Sequence, residues 1–156
     1  MSAHEREQEL EAVADTAERR RAGDRIEAAA ALIVALAVIV IPALLTPDPS
    51  GHGTHTQVLL LPCIWQMLTG LPCPMCGMTT SMAHMARGEV GAAFGTHLLG
   101  PALYVGAWLG AVWALAALVR GTPAVPEALR RPAAPKVFLA IIAVGWAGNM
   151  VIWLLR

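Results

Sequence analysis

The stretch AAAALIVALAVIVIPALL, residues 28–45, decides the fold because it contains no polar side chain. A transmembrane helix needs about 20 apolar residues to cross a hydrocarbon core of ~30 Å, and this stretch is close to that length. Pro42 lies near its end, where a membrane helix tolerates proline. Residues 28–45 therefore predict a first transmembrane helix. A cleaved signal peptide is the weaker interpretation, because the preceding segment is long and net acidic.

Two further apolar stretches have similar lengths and occupy residues 98–119 and 137–155. Over the whole chain, 56% of the residues are hydrophobic and 14% are charged, which is not the composition of a soluble domain. The sequence therefore predicts an all-α integral membrane protein with three transmembrane helices and a membrane domain over residues 28–156.

Three residues in the later spans are expected to serve helix packing. Gly106 and Gly110 are four residues apart, a spacing that lets another helix approach closely. Asn149 is the one strongly polar side chain in residues 137–155. We expect it to form a hydrogen bond to a neighbouring helix, because a polar group in the membrane needs a partner.

The segment between the first two spans, residues 46–97, is more varied in composition. It begins with a region of Pro and Gly turns, and residues 57–68 then form an apolar stretch that is too short to cross a membrane. A turn with two cysteines and a second helical stretch, about residues 74–87, follow. Both stretches predict interfacial or re-entrant helices that carry the cysteine turn.

The distribution of basic residues predicts the orientation in the membrane. Residues 1–27, which we expect to form a charged helical arm, contain five arginines, and residues 120–136 contain four basic residues. The long segment 46–97 contains one, Arg87. By the positive-inside rule, segments 1–27 and 120–136 face the cytoplasm. We therefore expect a multi-pass protein of the bacterial inner membrane with a cytoplasmic N-terminus and extracytoplasmic cysteines.

Two of the three cysteines form the turn Cys73-Pro74-Met75-Cys76. Because proline is favourable at the first helical position, both sulfurs are expected at the start of a helix, where the helix dipole stabilises thiolates. Such a pair suits metal chelation and thiol–disulfide exchange, so the motif alone does not decide between them. Cys63 lies ten residues before Cys73 with a turn between them, and we expect it to fold back onto the pair.

Histidines are the candidates for a fourth metal ligand. His52 and His55 lie in a Gly-rich loop before the cysteines, from which they can reach the site. His84 is eight residues beyond Cys76. That spacing corresponds to about 12 Å of rise on a straight helix, which is too far for one tetrahedral ion, so His84 is a candidate only if the helix breaks at Gly77. Zinc is the favoured metal, and copper is the weaker alternative because the nearby methionines also suit packing.

The run GLPCPMCGMTTS at residues 70–81, with His84 and Gly88 beyond it, resembles the motif of a bacterial membrane family, domain of unknown function 2752. That family is built around a Cys-Pro-x-Cys-Gly-x-Thr core, and the similarity extends over about residues 58–105. Many members carry Arg after this Thr, where the chain has Thr80. The resemblance implies a membrane protein and supplies no activity.

These observations favour a small inner-membrane protein with a structural or regulatory metal site, acting as an accessory subunit of a membrane complex. The alternative is a thiol–disulfide redox protein that uses Cys73 and Cys76, and a third interpretation is an accessory subunit with a disulfide-closed turn.

An enzyme is disfavoured because no Ser/His/Asp set, P-loop or dinucleotide motif is present. The expected partners are the lipid bilayer and other membrane subunits or a second copy. A net charge of zero gives no support for nucleic-acid binding.

Overall fold

The structure, a computed structural model, describes residues 3–51, 53–58, 63–70 and 73–154. These residues are all-helical and contain no strand. The elements are α1 (Ala3–Leu44), a 3₁₀ helix (Thr54–Val58), α2 (Ile64–Thr69), α3 (Met78–Ala86), α4 (Val90–Thr96), α5 (Leu99–Arg120), α6 (Glu127–Arg130) and α7 (Ala134–Leu154).

Three of these helices, α1, α5 and α7, are long and apolar enough to cross a membrane by length and composition. They contain the three predicted spans with small differences at the ends. Helix α1 ends at Leu44, one residue before the predicted end of the first span, and α5 begins at Leu99, one residue after the predicted start of the second. Residue 155, the predicted end of the third span, lies outside the described residues. The cysteines lie in the segment that follows α1, between the first and second spans. The predicted all-α membrane architecture is therefore confirmed.

Helix α1 joins the charged arm and the first span in one uninterrupted helix of 42 residues. Its first part is rich in Ala, Glu and Arg, which are strong helix formers, and Arg19 forms an i,i+4 ion pair of 2.9 Å with Asp15. The helix ends at Leu44, shortly before Pro47, because the residue before a proline disfavours the helical conformation. The arm and the span are consequently joined without a hinge.

Helices α1 and α5 pack side by side in opposite directions, through alanines at one contact and larger side chains at another. Ala28 of α1 shares a buried cluster with Ala117 of α5, whereas Ile39 of α1 shares another with Tyr104. Residues further along α1 thus contact residues earlier in α5, so the two helices are antiparallel. In a membrane, an apolar side chain gains little free energy by moving from lipid to protein. Helices therefore associate where small side chains, such as those of Ala28 and Ala117, let them approach closely.

The short helices between the spans pack across the α1/α5 pair. Ser81 of α3 is fully buried, and its hydroxyl donates a hydrogen bond of 2.8 Å to the Ala93 carbonyl of α4. A Cβ at Gly100, in the first turn of α5, would overlap the Ser81 side chain. Met82 and Met85 pack against the second buried cluster, so the methionines on this face of α3 serve packing. The short helices are thereby fixed directly above the spans.

Helix α7 approaches the beginning of α5 through two glycines. A Cβ at Gly145 would overlap Leu99, and a Cβ at Gly148 would overlap Leu98. By contrast, a Cβ at Gly106 or Gly110 meets nothing within 4 Å among the described residues. Gly145 and Gly148 therefore make close helix contacts within the described residues, whereas the predicted pair Gly106 and Gly110 does not.

One predicted helix boundary is wrong. We expected a helix from about residue 74, with both cysteines of the turn in its first turn, but α3 begins at Met78 and residues 74–77 form a hydrogen-bonded turn. The reason is Gly77, whose φ of +83° places it in the left-handed region that interrupts a helix. The two cysteines precede α3 and face Cys63 from this turn.

Candidate metal centre

The three cysteines form one compact cluster. Their Sγ atoms all lie within 4.8 Å of one another, and those of Cys73 and Cys76 are 3.0 Å apart. No disulfide joins them. Around a tetrahedral zinc ion with bonds of ~2.3 Å, sulfur ligands are separated by about 3.8 Å. The sulfurs are thus close to the spacing that one ion requires, and the structure brings together the three cysteines that the sequence indicated.

Local hydrogen bonds shape the two chain segments that carry the sulfurs. The Cys76 amide donates to the Cys73 carbonyl at 3.0 Å, which closes the turn and places both side chains on one side of it. Cys63 directly precedes α2, and its carbonyl accepts a hydrogen bond of 3.0 Å from Met67. Gly70, with a φ of +69°, follows α2. A left-handed residue at this point ends α2 and allows the chain to reverse, and Cys73 lies beside Cys63.

Gly77 fixes the turn against two neighbouring segments. A Cβ at this position would lie 3.0 Å from the Gly51 carbonyl oxygen and 3.1 Å from that of Thr96. Only glycine combines the left-handed φ with this close approach of three backbone segments. The glycine of the Cys-Pro-x-Cys-Gly motif is therefore required by conformation and by packing.

A buried histidine holds the turn against the second span. His97 is fully buried, and its Nδ1 accepts a hydrogen bond of 3.1 Å from the Leu99 amide at the start of α5. The proton of the ring is consequently on Nε2, which donates to the Pro74 carbonyl at 3.1 Å. Burial lowers the pKa of His97, which keeps the ring neutral and the two hydrogen bonds in place at neutral pH.

A buried amide reaches the same turn from the third span. Asn149 of α7 is 5% exposed, and its Nδ2 donates a long hydrogen bond of 3.4 Å to the Cys76 carbonyl. The partner of this side chain is thus the cysteine turn. Together with His97, it connects the turn to two membrane helices.

Thr80 connects α3 to the segment that follows α1. Its hydroxyl lies 2.7 Å from that of Thr54, which in turn accepts a hydrogen bond of 3.0 Å from the Asp48 amide. Both threonines are almost completely buried. Where the motif that this chain resembles often has Arg, the chain therefore has a hydrogen bond between buried hydroxyls.

Burial also determines the protonation of the innermost sulfur. Cys76 is 6% exposed, and burial, with the hydrogen bond to Cys73 as a second cause, raises the pKa of its thiol to about 12. Without a cation, Cys76 is a protonated thiol at neutral pH. A metal ion supplies the positive charge that allows this thiol to bind as a thiolate, with release of its proton.

The histidines proposed as further ligands lie elsewhere. His55 is half-buried in the 3₁₀ helix, and within the described part of the chain the cluster of ligand atoms contains the three cysteines alone. His84 on α3 forms a hydrogen bond with Glu89 through its Nδ1. His52 lies outside the described residues. The structure thus brings the cysteines together and does not bring His55 or His84 to them.

Sequence reasoning missed the residues that hold the cluster in place. From its position just before the second span, His97 is expected only to be a polar residue at a helix start, and the Leu99 hydrogen bond fits that role. Its second bond, to Pro74, joins residues 23 positions apart. No local pattern in the sequence signals such a contact.

We expect His97→Ala to weaken metal binding by about 10- to 100-fold, the usual cost of removing a group that orients a ligand. The reason is that the Pro74 carbonyl and the Leu99 amide both lose their partner, which frees the cysteine turn from α5. Metal affinity measured by competition with a chromogenic chelator checks this. His84→Ala is the matched control, and an equal loss in both variants would contradict the role given to His97.

The fold and the site define a small multi-pass membrane protein with a three-cysteine cluster beside its first span. Residues 63–113 match the family described as "Protein of unknown function (DUF2752)". The match begins at Cys63 and extends through the cysteine turn, α3 and α4 into α5, which confirms the resemblance predicted from the cysteine motif. No curated protein and no solved structure matches the chain.

Proposed function

We propose that this protein binds a metal ion, zinc before copper, on Cys63, Cys73 and Cys76, and that the site is structural or regulatory. The observation that carries the proposal is the clustering of three sulfurs within 4.8 Å. Two cysteines separated by two residues, with a third from another segment, are typical of zinc sites. Zinc with three protein ligands keeps a fourth position for water or another ligand.

The proposed location explains why a metal is needed. The basic residues of segments 1–27 and 120–136 support a cytoplasmic N-terminus, and the cysteines then lie outside the cytoplasm of a bacterial cell. Thiols in that compartment are oxidised unless they are paired, buried or bound to a metal, and three thiols cannot all pair. Labelling with an impermeant maleimide after chelation tests the orientation. Modification of Cys63 only in opened cells would overturn it.

We further propose that the protein acts as an accessory subunit of a membrane complex. Support comes from the arm of α1, whose described side chains from His4 to Arg21 are exposed. At 1.5 Å per residue, the part of α1 that precedes the first span projects about 37 Å, so it can reach another protein beside the membrane.

A second candidate function is thiol–disulfide exchange, favoured by the distance of 3.0 Å between the Sγ atoms of Cys73 and Cys76. In that reaction the two thiols would form a disulfide and release two electrons and two protons. A disulfide substrate would accept them and become two thiols. Cys63 has no required part in this reaction.

Elemental analysis of protein purified without chelators, combined with a count of accessible thiols, distinguishes the two functions. Metal binding predicts about one equivalent of zinc per chain and three thiols that react only after chelation. Absence of metal together with a Cys73–Cys76 disulfide would overturn the metal proposal and support the exchange reaction.

A further inference from the structure

Positive charge is concentrated at the end of the bundle opposite the cysteines. We call this the basic end, and it comprises residues 19–27 and 120–136, with eight basic and three acidic residues for a net charge of +5. Its basic side chains are all exposed: Arg19, Arg20, Arg21, Arg25, Arg120, Arg130, Arg131 and Lys136. The rest of the arm, residues 3–18, carries six acidic residues and one arginine, so the positive charge is confined to the part nearest the span.

Contacts between segments hold the basic end together. Glu27 of α1 accepts a hydrogen bond of 2.8 Å from the Val125 amide and forms an ion pair with Arg130. A Cβ at Gly121, just after α5, would lie 3.6 Å from Nε of Arg25. The end of α5, the connector and α1 therefore present their basic groups side by side.

The basic end lies at the depth of lipid headgroups. Arg25 is three residues before the apolar run, which is about 4.5 Å along the helix, and Arg19 is about 13.5 Å from it. The headgroup layer is several ångströms thick, and charges act over a Debye length of ~8 Å at physiological ionic strength. The exposed arginines are thus close enough to attract anionic phosphate groups.

An apolar groove leads from the basic end towards the cysteine turn. Its volume is about 800 Å³, and it lies between α1, α5 and α7, with Glu27 and Val125 at one end and Pro74 and Met75 at the other. Its lining on α1 runs from Glu27 to Val38. This is about 16 Å of helix, and the lining on α5 continues to Leu99, so the groove is at least as long as the ~15 Å that one lipid leaflet contributes to the hydrocarbon core.

Two glycines keep the groove open. Gly106 and Gly110 line it, and a Cβ at either meets nothing within 4 Å among the described residues. Glu27 at the entrance does not repel an anion strongly, because Arg130 and the Val125 amide already offset its charge.

We propose that the groove binds one acyl chain of an anionic phospholipid whose phosphate rests on the basic end. Arginine suits this contact because its planar guanidinium forms paired hydrogen bonds to phosphate oxygens. The groove is long enough to hold one acyl chain of the leaflet next to the basic end, and the net charge of +5 selects an anionic headgroup over a zwitterionic one. This site is separate from the cysteine cluster and does not depend on a bound metal.

The test uses the full chain in phosphatidylcholine vesicles that contain spin-labelled phosphatidylglycerol or spin-labelled phosphatidylcholine. We expect the protein to immobilise the phosphatidylglycerol label preferentially. Arg21→Gln/Arg25→Gln should reduce this preference by at least about fivefold, which is the effect expected of either arginine alone near a charged surface. Arg6→Gln, in the distal arm, is the matched control and should leave it unchanged. Equal immobilisation of the two lipids by the wild-type protein would overturn the proposal.

A second variant tests the groove itself. Gly106→Leu fills open space, so it should lower the number of immobilised lipids of both kinds while the metal content stays unchanged. An unchanged number would overturn the acyl-chain site. Efficient crosslinking of Gly106→Cys between two copies in the membrane would also overturn it, because a second copy would then occupy the groove.

Discussion

Cys73→Ser is expected to abolish stoichiometric metal binding. Binding energies of structural zinc sites are about 10–16 kcal/mol, so one of four ligands accounts for about 3 kcal/mol, or at least a 100-fold loss of affinity. A serine hydroxyl cannot replace the thiolate, because it remains protonated at neutral pH and is a harder ligand. Elemental analysis after gel filtration should show less than one tenth of the wild-type metal content, as an order-of-magnitude expectation from this loss.

Variants of the other two cysteines test whether all three sulfurs bind the ion. Cys63→Ser and Cys76→Ser should lose metal to a similar degree, because all three sulfurs lie within 4.8 Å of one another. Met75→Leu changes an exposed residue of the same turn and is the matched control. Full metal content in Cys63→Ser would contradict a three-cysteine site and leave the Cys73/Cys76 pair as the chemically important unit.

Gly77→Ala is expected to be the most destabilising single-methyl change in the cysteine segment. The left-handed conformation costs a residue with a Cβ about 1–2 kcal/mol. The added methyl would lie 3.0 Å and 3.1 Å from two carbonyl oxygens of neighbouring segments, and such overpacking costs about 1–3 kcal/mol more. We expect a total loss of about 2–5 kcal/mol in the free energy of unfolding, measured in detergent micelles.

Gly88→Ala separates the two causes of this loss. Gly88 also has a positive φ, of +77°, but among the described residues a Cβ there meets nothing within 4 Å. It should therefore lose only the conformational part, about 1–2 kcal/mol. Equal losses in the two variants would contradict the close packing of Gly77 against Gly51 and Thr96.

The spans and the cysteine cluster could be predicted because their signals are local. Residues 28–45 indicate a span by length and lack of polar groups alone, and the same holds for α5 and α7. The cluster follows from two closely spaced cysteines and a third before an intervening turn. These features depend on a few neighbouring residues and not on the rest of the fold.

The details that position the site depend on contacts between distant segments. The left-handed Gly77 is required by its approach to Thr96 and Gly51, which no local pattern reveals, and this is why α3 begins later than predicted. Similarly, GxxxG spacing marks Gly106, whereas Gly145 is the glycine that meets Leu99. GxxxG spacing shows where another helix can approach closely. Whether one does so depends on the helix that packs there.

The central claim is that all three cysteines hold one ion, and X-ray absorption at the zinc edge tests it most directly. The sample is wild-type protein purified without chelators and loaded with one equivalent of zinc. We predict a shell of three sulfur atoms at about 2.3 Å and one lighter atom at about 2.0–2.1 Å. A spectrum with two or fewer sulfur neighbours would contradict the claim.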